Sequence, residues 1–194
     1  MIMLANTALI GGGFALAILL ILLIWVIANY NRFVSIGQHL RESWADVDVE
    51  LKRRYDLIPN LVNTVKGYAE HEKTLFKEIT EARSQAMAND GRPDRQSADE
   101  QRFVRGVNRL MAVAEQYPDL KANANFLALQ EELANTEDRI AASRRFYNGN
   151  VREMNQLCRT FPSNILAGMF GFKEQGFFEV EDPEERQVPD ASVN

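Results

Sequence analysis

A single cysteine, Cys158, and two histidines, His39 and His71, are all that 194 residues offer of thiol and imidazole. One thiol cannot form an intrachain disulfide, so no covalent framework is available, and such a chain suits a reducing compartment. Cys158 has no metal or redox partner nearby in sequence and reads as a small buried hydrophobe. His71-Glu72 is followed by Lys73-Thr74-Leu75, so the second histidine of a zinc-protease helix is missing. The Glu-x-x-His pair of a di-iron bundle is absent, as is a Gly-x-Ser-x-Gly elbow. Gly11-Gly12-Gly13 lacks the Lys and Ser/Thr of a phosphate loop. The expectation is a protein with no catalytic residue, no cofactor and no metal.

Charge is also missing, over one region. The first ionisable side chain other than a tyrosine is Arg32. Residues 8–28 form an uncharged apolar run whose helix would be about 31 Å long, enough for a hydrocarbon core of about 30 Å. In lipid an unpaired backbone amide costs several kcal/mol, so a single span must be helical. Residues 1–7 contain no Lys or Arg, which removes the positive n-region of a cleavable signal peptide and leaves an uncleaved anchor as the reading. Trp25 and Tyr30 fall at its C-terminal end, where amphipathic rings favour the headgroup level. Gly11, Gly13, Ala15 and Ala17 place small residues four apart, a spacing that lets membrane helices approach closely.

Orientation follows from the cations. Arg32 and Arg41 come soon after the span, with Lys52, Arg53 and Arg54 further on, so the positive-inside rule puts the body in the cytoplasm at the inner membrane. The expected organisation is a short extracytoplasmic stretch (1–7), a transmembrane helix (8–29), a helical body (30–178) and an acidic disordered tail (179–194).

What charge the body has is balanced. Residues 32–89 carry nine basic and nine acidic side chains, and residues 90–172 carry eleven of each. The last 22 residues hold two basic and seven acidic, which accounts for the whole net charge of −5. With no basic field, nucleic acid is not an expected partner.

From Leu40 onward apolar residues recur at three and four, the mark of packed helices. Leu40, Trp44, Val47, Leu51 and Tyr55 form the first stripe. Asp56 then looks like an N-cap and Pro59 like a first-turn proline, so a turn near residues 55–56 is preferred over one long helix kinked at Pro59. The second stripe is Leu61, Val62, Val65, Ala69, Phe76, Ile79 and Ala86, broken at Asn89-Asp90-Gly91-Arg92-Pro93. A third helix begins near Ser97, with Glu100 completing a capping box, and carries Phe103, Val107, Leu110, Ala114 and Tyr117. The fourth runs from Phe126 through Leu133, Ile140, Tyr147 and Met154 to Phe161, weakened by Thr136, Ser143 and Asn150. No strand-like alternation of any length occurs. The fold class is all-α: an N-terminal single transmembrane helix followed by an antiparallel up-and-down four-helix bundle.

That topology returns residues 161–178 to the membrane end, a consequence that depends on the turn at Asp56. Phe170, Phe172, Phe177 and Phe178 in this stretch are candidate surface or partner contacts, either capping the core or touching lipid. Charged residues at three and four read as ion pairs rather than catalytic pairs. Asp48, Arg53, Asp56, Asn60 and Asn148 are expected to form a structural polar network that fixes helix register.

Longer motifs carry a resemblance. The run from Trp44 to Val62, WADVDVELKRRYDLIPNLV, continues in Val65-Lys66-Gly67-Tyr68-Ala69-Glu70-His71-Glu72. Tyr117-Pro118-Asp119-Leu120-Lys121-Ala122, Glu137, Ile140, Arg145-Phe146-Tyr147-Asn148 and Phe161-Pro162-Ser163-Asn164 follow in order. Gly171-Phe172-Lys173 and Phe177-Phe178-Glu179 complete the series. Together, over about residues 7–180, they resemble the LemA family, with Met154-Asn155 departing from a common Tyr-Asn. The resemblance implies an outside N-terminus, one membrane helix and a cytoplasmic helical bundle, and it supplies no catalytic residue. Some similar proteins are associated with membrane remodelling or envelope homeostasis.

Three functions follow in order of preference. The first is a non-enzymatic, membrane-anchored scaffold that contacts lipids and self-associates as a homo-oligomer or recruits partners. The second is an accessory subunit of an integral membrane protease or transporter. The third is a hydrolase or metal enzyme using Asp48, Asp56 and His71.

Overall fold

The computed structural model describes residues 2–89 and 93–179, with side chains from residue 12 onward and without that of residue 94. The acidic tail expected at 179–194 therefore lies outside the described residues except for Glu179, as do the side chains of the N-terminal stretch. Helices make up nearly all of what is described, and no strand occurs among those residues. They are α1 (Ile2–Lys66), α2 (Lys73–Met87), α3 (Pro93–Ala114), α4 (Pro118–Lys121), α5 (Ala124–Arg159) and α6 (Ser163–Phe170).

The first finding is a correction. The chain does not turn at residues 55–56: α1 passes through Asp56 and Pro59 to Lys66 without a break. A proline inside a helix removes the N–H that would bond the carbonyl four residues earlier, here that of Tyr55. Arg83 of α2 replaces it, its Nε donating to the Tyr55 carbonyl at 2.6 Å. A tertiary donor thus keeps as one helix a sequence that locally reads as two. The reversal comes later, at residues 67–72, where Ala69 N–H bonds the Val65 carbonyl at 2.9 Å.

Other boundaries shift for similar reasons. Helix α3 starts at Pro93, so Ser97 is not its cap and instead donates from Oγ to the Pro93 carbonyl at 2.9 Å. Asn123 caps α5, its Oδ1 accepting from the Asn125 and Phe126 amides at 2.9 and 3.2 Å. Helix α5 ends at Arg159, and Phe161 is not a seam residue at all, being 76% exposed. The apolar stripes themselves stand: Leu61, Val65, Ile79, Phe103, Leu110 and Ile140 are all buried.

Two compact units result. One comprises Met1–Arg41 and Asn150–Gln175, the other Glu42–Gly149 and Gly176–Asn194. In the second unit α2 and α3 run in opposite directions, since Glu78 pairs with Arg109 at 2.7 Å and Gln85 with Arg102 at 2.6 Å. Gly106 allows their close approach, because a Cβ there would lie 3.2 Å from Ile79 Cγ1. In the first unit α1 contributes Phe33, Ile36 and Leu40 to a core completed by Val151, Met154, Leu157 and Leu166. Each such side chain adds about 1.5–3 kcal/mol by leaving water.

Candidate functional site

The unit of Glu42–Gly149 and Gly176–Asn194 holds the most charged interior among the described residues. Arg54 is 2% exposed and Glu100 is fully buried, and the two form an ion pair. Arg54 comes from α1 one position after the Arg53 of the sequence reading, which turns it from the surface to the core. Glu100, one helical turn after Gln96 on α3, belongs to that core and not to a capping box. Tyr55 donates its hydroxyl to Glu100 Oε1, and Gln96 Nε2 donates to the same oxygen at 3.0 Å and to the Tyr55 hydroxyl at 2.9 Å. Arg54 Nη1 also reaches Glu137 of α5 at 2.9 Å, and its Cζ lies 5.2 Å from the Phe103 ring centroid.

The energetics of this cluster are one-sided. Two buried charges hold each other, and each would be costly alone. Burial pushes the Tyr55 hydroxyl up to about 12, opposed by the positive Arg54 beside it. Both oxygens of Glu100 are engaged by protein donors. Arg54 Nε has no hydrogen-bond partner, and Glu50 Oε2 has none either, lying 3.9 Å from Arg139 Nε.

The five residues expected to form one polar network are not brought together. Asp48 pairs with Lys52 on the surface at 2.6 Å, and Arg53 pairs with Glu132 of α5 at 2.6 Å. Asp56 is exposed, 3.8 Å from Arg83, and Asn60 is exposed with its carbonyl accepting from Thr64. Asn148 does something different. Its side-chain amide donates to the Phe178 carbonyl at 3.0 Å and accepts from the Phe178 amide at 2.9 Å, gripping an extended segment like a neighbouring strand. Phe178 is fully buried, with its ring 5.3 Å from Trp44.

The other unit is aromatic. Phe172 stacks on Phe33 at 4.5 Å between centroids, and Tyr30 meets Phe170 at 4.9 Å and Phe172 at 5.9 Å. Residues 170–172 therefore do return to the C-terminal end of the apolar helix, with the reversal at 67–72 replacing the one expected at Asp56. Helix α6 is capped by Gly171, whose φ of 76° favours glycine, and Phe172 N–H then closes on the Ala167 carbonyl at 3.0 Å. Asn155 grips Gln175 as Asn148 grips Phe178, donating at 3.0 Å and accepting at 2.7 Å. Arg32 pairs with Glu153 at 2.9 Å.

Phe170 stays 49% exposed and Phe177 39% exposed, whereas Phe172 is half-buried. Trp25 is half-buried; Tyr30, Gly13, Ala15 and Ala17 are exposed, and a Cβ on Gly13 would meet nothing within 4 Å. Gly11 falls among the residues whose side-chain surroundings are not described. From Phe14 to Ile27 the large apolar side chains of α1 are mostly exposed, and the helix is long and apolar enough to cross a membrane. Cys158 is half-buried, with its thiol pushed up by burial and then by Glu174. Among the described residues no three of His, Cys, Asp and Glu come together as a metal site. Sequence reasoning missed the buried roles of Arg54 and Gln96; for the Arg83 contact, the Pro59 ring was a signal that the Tyr55 carbonyl lacks its helical donor.

Known proteins resemble this chain in sequence. The magnetosome protein MamQ 2 of Paramagnetospirillum magneticum is 28% identical, over 79% of this chain and 66% of its own length. MamQ of Magnetospirillum gryphiswaldense is 26% identical, over 79% of this chain and 65% of its own. This chain thus spans just under two thirds of the length of these relatives. Protein LemA of Metamycoplasma hominis is 26% identical, over 84% of this chain and 74% of its own. The model of the LemA family matches residues 43–192, which include the buried arginine, its glutamate and both asparagine grips. By that match, which covers most of its length, the chain belongs to the LemA family.

Proposed function

We propose that this protein is a non-enzymatic, membrane-anchored helical scaffold at the cytoplasmic face of the inner membrane. It self-associates or recruits partners in membrane remodelling or envelope homeostasis. The observation that carries the reading is α1, whose exposed apolar side chains from Phe14 to Ile27 continue without interruption into a helix that packs in a folded body. Exposed hydrocarbon on this scale needs a nonaqueous cover. Ion pairs linking Arg53 to Glu132, Arg54 to Glu137 and Glu50 to Arg139 support an antiparallel α1–α5 pair. With α2 and α3 between them in the chain, an up-and-down four-helix bundle is the arrangement these pairs favour. Carboxylates consumed in ion pairs support a role that is not catalytic. The exposed Gly13, Ala15 and Ala17 give the anchor a face along which a second copy can pack.

Crosslinking in native membranes tests this reading. A defined higher species made of this chain, or of this chain with several partners, is the expected result. A strictly monomeric, partner-free protein overturns it, and recovery with one stoichiometric integral protein favours the accessory-subunit reading instead. Cytoplasmic reporter activity from a C-terminal fusion is expected for the proposed orientation.

A further inference from the structure

Helix α6 is uncharged and apolar, yet much of it is uncovered. From Thr160 to Phe172 there is no ionisable side chain, and Arg159 and Lys173 stand at either end. Phe161, Ile165, Met169 and Phe170 are all exposed, Met169 at 72%. Thirteen residues are too few to cross a bilayer, so this stretch cannot be a second span. It is also not free-standing: Leu166 and Ala167 are buried, and Phe170 is in edge contact with Tyr30.

Its neighbour decides what covers it. A groove of about 720 Å³ runs between α6 and the apolar part of α1, with Ile18, Leu22 and Trp25 on one wall and Ile165 and Met169 on the other. Those α1 residues lie within the exposed apolar stretch. Whatever medium surrounds that stretch also enters the groove and bathes the outer face of α6. Water is excluded on energetic grounds, because each large apolar side chain left in it forgoes about 1.5–3 kcal/mol. Cations at the borders of an apolar helix are the arrangement that suits an anionic headgroup layer. Arg159 is committed to Glu174, and Lys173 is the exposed cation at the other border.

We propose that α6 is an interfacial membrane helix, inserted in the same leaflet as the C-terminal end of the span, and that the groove between them holds a phospholipid acyl chain. This rests on the membrane-anchor reading of α1. The protein would enter the bilayer as a span plus a wedge, displacing area in one leaflet only.

Full-length protein in phosphatidylcholine–phosphatidylglycerol vesicles tests it, with Cys158→Ser as background. Nitroxides are placed singly on Met169→Cys, Leu19→Cys and Lys77→Cys, all exposed positions whose replacement removes little packing. Accessibility to oxygen and to a water-soluble nickel chelate is read by power saturation. At Met169 nickel accessibility several-fold below that at Lys77, with oxygen accessibility close to that at Leu19, is expected. If Leu19 is in lipid and Met169 is in water, the interfacial helix is overturned while the anchor stands. If Leu19 is also in water, the anchor reading fails first. Spin–spin broadening at Met169 that vanishes on dilution with unlabelled protein would put a second copy in the groove and overturn the acyl-chain assignment. Quenching of Trp25, read in a Trp44→Phe background, by lipids brominated along the chain, and its weakening by Ile165→Phe filling of the groove, are the further results expected for a lipid occupant.

Discussion

The two units of this protein handle burial in opposite ways. The unit containing Glu42–Gly149 takes a guanidinium and a carboxylate out of water and surrounds them with Tyr55, Gln96 and Phe103. The unit containing Met1–Arg41 and Asn150–Gln175 leaves Leu19, Ile21, Met169 and Phe170 uncovered. A buried ion pair adds little net stability but severely penalises misregistered packing, since any shift leaves a lone charge in the core. Exposed hydrocarbon does the reverse, tolerating many arrangements while demanding an apolar medium. One unit is therefore built for a unique interior and the other for a surrounding phase.

The comparison can be broken most directly at Glu100. Glu100→Ala leaves the buried Arg54 only the part-exposed Glu137 as carboxylate partner and should cost roughly 3 kcal/mol, lowering the apparent melting temperature in detergent by about 10 °C. Arg54→Met combined with Glu100→Leu should restore most of that loss; if the pair melts as low as the single variant, charge burial is not the controlling feature. Next in size is Phe178→Ala, expected to cost about 3 kcal/mol and to speed protease cleavage of the segment that Asn148 holds. Met169→Ala is its foil, and should move the same melting curve by less than about 0.5 kcal/mol.

Alkaline titration probes the same interior by another route. The Tyr55 proton is held up to about pH 12 in the folded protein and released near 10 when unfolded. Tyr55 stabilisation is thus complete below pH 10 and falls as pH rises from 10 to about 12, by on the order of 2–3 kcal/mol. Chemical denaturation across that window should show the loss, and Tyr55→Phe should flatten it. A more local effect is expected for Arg83→Ala, which orphans the Tyr55 carbonyl at about 1–2 kcal/mol. Amide exchange around residues 55–60 should rise in that variant while residues 33–40 stay protected.

Periodic features were legible in the sequence because burial repeats every three or four residues. Leu61, Val62 and Val65, like Phe103, Val107 and Leu110, declare their faces without reference to anything distant. The Asp56–Pro59 signal was misleading because its local pattern is shared by two outcomes. A cap followed by a proline starts a new helix unless a donor from elsewhere meets the freed carbonyl, and Arg83 lies 28 positions away from Tyr55. Glu100 likewise fits a capping box locally, and only the arrival of Arg54 makes it a core residue. Asn148 and Asn155 were ambiguous for the opposite reason: side-chain amides that copy backbone hydrogen bonds leave no periodic trace. The exposed apolar stretch of α1 was legible as composition, whereas the groove beside α6 needed two segments over 130 residues apart in the chain.

The Arg54–Glu100 pair also constrains how such sequences can change over generations. A lineage that loses Arg54 leaves Glu100 as an unmatched buried charge, and one that loses Glu100 leaves Arg54 only the part-exposed Glu137, so neither position can drift by itself. Exchange to an apolar pair requires both substitutions before selection sees the benefit, a barrier that single steps rarely cross. Among related chains the two positions, 46 apart, should therefore be found charged together or apolar together.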